Sequence, residues 1–79
     1  MKSLATLVIE ISKKPNDAEL HRQAGVICLR NGLDLQAERW LLGALQLDPH
    51  HKPTQQSLAD FYTHVGRPEL ATQYRATAR

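Results

Sequence analysis

Apolar positions recur at spacings of three and four along most of this chain, the signature of helices with one buried face. Between Ala18 and Arg30 they fall at Leu20, Ala24, Ile27 and Cys28, with Val26 and Leu29 beside them. Asn16 suits the N-cap of this helix, and Glu19 three residues on completes a capping-box pair. Asn31-Gly32 ends it, because glycine accepts the left-handed cap at no steric cost. The pattern resumes from about Leu35 to Leu47, with Asp34 as expected N-cap and Asp48-Pro49 as stop. A third helix is expected to start near Pro53, where proline suits the first turn, and to end at Gly66. A fourth starts at Pro68, with Glu69 in its first turn, and runs toward Arg79. Ahead of these, the segment from about Ser3 to Ser12 reads as a helix that is apolar nearly all round, through Leu4, Leu7, Val8, Ile9 and Ile11. The pattern therefore predicts an all-α chain of five short helices: a single helix, then two hairpins. Each such hairpin leaves a face that needs a neighbour.

The punctuation repeats. Shifted by 34 residues, Pro15 falls on Pro49, Gly32 on Gly66, Ala37 on Ala71 and Ala44 on Ala78. Leu7 falls on Leu41, Ile11 on Leu45, Gly25 on Ala59 and Trp40 on Tyr74. So many coincidences at one offset, all at structural residue types, are hard to produce by chance. Physically, two helices approach closely only where side chains are small. Gly25 and Ala59 are therefore expected to face Ala37, Ala44, Ala71 and Ala78, with Leu41, Leu45, Leu58 and Tyr62 filling the gaps.

These residues resemble the tetratricopeptide repeat family, whose period is the same. The first full unit has the family's small residue in mid first helix (Gly25), the glycine at the hairpin turn (Gly32) and the alanine opening the second helix (Ala37). It also has the late alanine (Ala44) and the closing L-x-L-D-P of Leu45 to Pro49. The second unit offers Leu58-Ala59, Tyr62, Gly66, Ala71, Tyr74 and Ala78 at the same places. The resemblance implies an α-solenoid of antiparallel hairpins in a single domain over residues 1–79. Residues 1–15 form a half repeat or capping helix, 16–49 the first repeat and 50–79 a truncated second. The departures are His21 and Gln55 where the family often has tryptophan, Glu38 and Thr72 at places that are usually apolar, and Cys28 for the usual tyrosine. Such arrays usually need about three repeats. Two explanations of the shortness stay open: the C-terminal end of a longer protein, or self-association.

Composition narrows the function classes. The 79 residues suffice for one small domain, and one cysteine permits no internal disulfide. The formal charge of +2 is too small to argue for nucleic acid or a membrane surface, and 5% aromatics speak against an RNA-stacking sheet. No run approaches the roughly 20 apolar residues of a membrane span. The apolar run from Leu4 is broken by Glu10 and followed by Lys13-Lys14 without a cleavage site, so it reads as a helix of the fold and not as a secretory signal. A lone free cysteine is comfortable in a reducing cytoplasm, which slightly favours that compartment.

Candidate chemistry is sparse. His50, His51, His64 and Cys28 lack the paired short spacings of a zinc site, and the His50-His51-Lys52 run reads as a solvated turn. Ser57, Asp60 and His64 share a helix face, yet one exposed face supplies neither oxyanion donors nor a closed pocket. Cys28 on an apolar face reads as a small buried hydrophobe. No Gly-rich phosphate loop and no carboxylate pair is present, so neither enzyme activity nor a cofactor is expected.

What remains is a surface. The resemblance implies an inner groove lined by the first helix of each hairpin: Glu19, Arg22, Val26, Leu29 and Arg30, then Gln56, Asp60, Thr63 and His64. Val26 and Leu29 are expected as solvent-facing aliphatics, which suggests a binding surface unless the first helix folds over them. The family's clamp for acidic C-terminal peptides is not expected, because Val26 and Asp60 replace its asparagines. Trp40 and Tyr74 are read as packing residues on the second helices. The expected function is non-catalytic binding of a partner protein's peptide or helix in the groove. The alternative is a structural or self-assembly role, or an accessory domain of a larger protein, motivated by the apolar first helix and the truncated last one.

Overall fold

A computed structural model describes residues 2–77, with side chains through residue 76. Five helices and no strand are present among the described residues: α1 (Leu4–Lys13), α2 (Ala18–Arg30), α3 (Asp34–Leu47), α4 (Lys52–His64) and α5 (Pro68–Thr77). The expected run of the last helix to Arg79, and the packing expected of Ala78, lie outside the described residues.

Local chemistry sets the boundaries. Ser3 Oγ accepts the Thr6 amide at 3.2 Å and starts α1. Asp17, and not the expected Asn16, caps α2, its Oδ1 accepting the Leu20 amide at 3.2 Å. The Asp17 amide donates to the Lys14 carbonyl at 3.2 Å, and this turn aims Asp17 at the open end of the helix. Asp34 is the first residue of α3 rather than its cap. Leu33 holds the cap position without a side-chain bond, because its amide closes the preceding helix on the Cys28 carbonyl at 2.9 Å. That closure requires the positive φ of Gly32 (74°), and Gly66 (79°) repeats it with the Arg67 amide on the Tyr62 carbonyl at 2.7 Å.

The cap bonds recur at one offset. Lys14 to Glu10 (2.9 Å) matches Asp48 to Ala44 (3.0 Å), and Asp17 to Lys14 (3.2 Å) matches His51 to Asp48 (3.1 Å). Gly32 to Leu29 (3.2 Å) matches Gly66 to Thr63 (3.3 Å), and Ala37 to Leu33 (2.8 Å) matches Ala71 to Arg67 (3.1 Å). Both ends of α2 and α4 stand 34 residues apart, as do the starts of α3 and α5 and the ends of α1 and α3.

Helices α2 and α3 pack most extensively, then α4 and α5; α1 lies along α2, and α4 touches both α2 and α3. The Cα radius of gyration is 11.9 Å, close to the roughly 11.6 Å expected of a compact chain of this length. One core cluster, Leu7, Leu20 and Ala24, joins α1 to α2. A larger one, Cys28, Ala37, Leu41, Leu58, Phe61, Tyr62 and Ala71, joins α2 through α5. Gly25 lies against Leu41, so close that a Cβ there would stand 2.7 Å from Leu41 Cγ and 3.2 Å from the Ala37 carbonyl oxygen. Among the described residues, the two buried polar side chains each have a partner: Thr54 Oγ1 bonds His51 Nδ1 at 2.6 Å, and Gln55 Nε2 donates to the Pro49 carbonyl at 2.9 Å.

Candidate functional site

The nine residues expected to line one groove separate into two groups with different surroundings. On α2, Glu19 is the hub of a polar cluster. Its carboxylate accepts from Arg22 Nε at 2.9 Å and from Gln23 Nε2 at 2.9 Å, and His51 Nε2 stands 3.5 Å away. The Arg22 bond, with further help from Gln23 and His51, outweighs partial burial and holds the Glu19 carboxyl at about 2, well below its ordinary range. The same bond raises the Arg22 guanidinium. His51 is thus half-buried and tied to α2 as well as to Thr54, contrary to the freely solvated turn expected there.

Val26 and Leu29 are not solvent-facing as expected; both are half-buried. Leu29 packs against the larger core cluster, because α4 lies beside this part of the molecule. Val26 stands in the wall of an open recess of about 360 Å³ between α1 and α2. Arg22 and Arg30 stand in the same wall, joined by Lys2, Leu7, Gln23 and Ile27. The structure therefore brings three of the expected residues together and adds four that the groove reading missed. Gln23 and Ile27 share helical spacing with the expected Arg30 and could have been found on that signal. Lys2 carries none, since only the packing of α1 brings it there.

On α4, Gln56, Asp60, Thr63 and His64 are exposed and lie outside that recess. Asp60 pairs with Arg75 of α5 at 3.9 Å, and Arg75 also donates to Thr63 Oγ1 at 3.2 Å. His64 faces Asp34 across 3.8 Å. These partners draw Asp60 and His64 in different directions, and no hydrogen bond joins Ser57, Asp60 and His64 among the described residues.

The remaining chemical groups are positioned by packing. Cys28 is fully buried, and burial pushes its thiol up. Tyr62 is raised above its ordinary range by burial, then by donating to Glu38 Oε2 at 2.9 Å, which explains the acid at a position expected to be apolar. Tyr74 stacks on Tyr62 with ring centroids 5.7 Å apart. Trp40 packs half-buried on both clusters and meets the His21 ring at 5.6 Å. No group of three His, Cys, Asp or Glu side chains suited to a metal gathers among the described residues. No helix there is long and apolar enough to cross a membrane.

In comparisons with known proteins, no family model matches the chain, no curated protein matches it and no solved structure matches it.

Proposed function

We propose that the chain is a short α-solenoid of the tetratricopeptide type and a non-catalytic protein-interaction module, holding a partner's peptide or helix on the surface of its first-of-hairpin helices, α2 and α4. The observation that carries this reading is the recurrence of helix ends and cap hydrogen bonds at a 34-residue offset. Repeat units of this kind stack through one face and leave another lined by side chains that no neighbour needs. Here that surface mixes the ionic cluster of Glu19 and Arg22 with the aliphatic Val26 and the exposed Gln56, Asp60 and Thr63. Nothing in this mixture requires chemistry, and the one thiol is sealed in the core. Binding is expected to be of modest affinity, since so small a surface falls at the low end of interface sizes.

The test compares wild type with Val26→Asp/Asp60→Lys, both immobilised and offered lysate of the source cell. Captured proteins are then purified and titrated directly. A partner bound by wild type and lost by the folded variant supports the reading. An identical set captured by both, or no protein captured by either, overturns it. Self-assembly is the second reading, favoured by Val8 and Ile9 of α1, which are 47% and 58% exposed. Light scattering that finds only monomer at high concentration removes it.

A further inference from the structure

We propose that a second recess, between α2 and α3, receives one tyrosine side chain of a partner's peptide that carries an acidic residue beside it. This site lies apart from the surface of α2 and α4 proposed above and shares no residue with it, so either can fail alone.

The recess is open and holds about 420 Å³, at the small end of ordinary ligand pockets. It is lined by His21 of α2 and by Gln36, Arg39 and Trp40 of α3. The second hairpin shows what these positions do when the fold uses them. At the 34-residue offset, His21 corresponds to Gln55, Gln36 to Leu70 and Trp40 to Tyr74. Gln55 is buried and donates to the Pro49 carbonyl, and Leu70 packs on the larger core cluster. Tyr74 stacks on Tyr62 with 14° between the rings. In the first hairpin Cys28 stands at the place of Tyr62 and offers no ring to Trp40. The ring that does meet Trp40, His21, is tilted by 59° with its centroid 5.6 Å away. An aromatic side chain entering the recess thus finds an indole with no stacked partner among the described residues.

Polar groups around the same space are unspent. Arg39 and Gln36 are exposed, and neither has a hydrogen bond or ion pair among the described residues. Glu38, next to Arg39 in the chain, accepts from Tyr62 instead. Among the described residues no carboxylate lines the recess, so an acidic neighbour of the incoming ring is attracted to Arg39 and a basic one repelled. His21 Nδ1 stands 2.8 Å from the Asp17 carbonyl oxygen, which only accepts, so Nδ1 carries a proton and donates. In the neutral imidazole this leaves Nε2 a bare acceptor, without a partner among the described residues. A phenol hydroxyl supplies the donor that Nε2 lacks; a phenylalanine ring does not. Tyrosine beside an acid therefore answers the indole, the acceptor and the cation together.

The test titrates the intact chain with short, end-capped glycine–serine peptides that carry a central tyrosine–glutamate pair. Emission of the single tryptophan, Trp40, reports binding directly. It should saturate with a Kd of about 1 mM or tighter. Peptides with phenylalanine for the tyrosine, or lysine for the glutamate, should bind at least about tenfold more weakly. So should the original peptide to chain carrying Arg39→Glu, an exposed position whose variant is checked for folding by circular dichroism. Shifts of the Trp40 indole N–H and of the His21, Gln36 and Arg39 amides in unaltered chain locate the contact without any variant. Absence of saturation up to about 10 mM peptide overturns the proposal, as does equal binding of either control peptide. Free N-acetyltyrosine binding as tightly as the peptide also overturns it, in favour of a small-molecule site. Shifts confined to Gln56, Asp60 and Thr63 overturn it too, and leave the interaction-module reading standing.

Discussion

Two glycines on facing helices should respond to alanine with opposite sign. At Gly25, a Cβ meets Leu41 Cγ at 2.7 Å, Leu41 Cδ2 at 2.8 Å and the Ala37 carbonyl oxygen at 3.2 Å. Leu41 is fully buried, and the contact is with its branch point rather than a loose end, so α2 and α3 must separate. Overpacking of this kind costs about 1–3 kcal/mol. Removing glycine from a helix interior returns about 1 kcal/mol. The net expectation for Gly25→Ala is a loss of about 1 kcal/mol, or about 4–8 °C in Tm for a domain of this size. At Gly43, in mid α3, a Cβ meets nothing within 4 Å. Gly43→Ala therefore keeps the whole propensity gain and should stabilise by about 1 kcal/mol. Urea unfolding read by far-ultraviolet circular dichroism and by the single tryptophan, Trp40, measures both. If Gly25→Ala matches or exceeds wild type while Gly43→Ala behaves as expected, the α2–α3 contact has slack and the reasoning fails.

Further expectations follow from the ionisable groups and the hydroxyls. The Glu19 carboxyl lies below its unfolded value, so the stability it contributes is present above about pH 4.5 and is lost as pH falls toward about 2. Its side chain is 39% exposed, and solvent screening limits the effect to about 1 kcal/mol; Glu19→Gln should flatten the acid limb of a pH–stability curve by that amount. Tyr62→Phe removes the bond to Glu38 and should cost about 1–2 kcal/mol in the same urea assay, with loss below a few tenths counting against that bond. Cys28 should react with an aromatic disulfide reagent only at the rate of opening, and fast labelling of folded protein would contradict its burial.

The ends of the helices were legible in the sequence because the requirements are local. Gly32 and Gly66 occupy left-handed positions that few other residues tolerate, and Pro53 and Pro68 stand where a helix can begin. The choice of Asp17 over Asn16 was not legible, since the turn on the Lys14 carbonyl decides which side chain reaches the first amides. The same holds for Leu29. Spacing places it beside Val26, but only the position of α4 turns one toward the core and leaves the other in a recess wall. The recess was half legible: Gln23, Ile27 and Arg30 mark one stripe of α2, whereas Lys2 joins them through the docking of α1.

Because α1 runs alongside α2 alone and α5 alongside α4 alone, each terminal helix can detach without parting α2, α3 and α4. The two ends can therefore open locally below the global transition. Amide protons of α1 and α5 would then exchange earliest, and those of α2 and α3, around Cys28 and Leu41, last. Trp40 sits in that slow middle, so its fluorescence reports the final step and stays silent through the first.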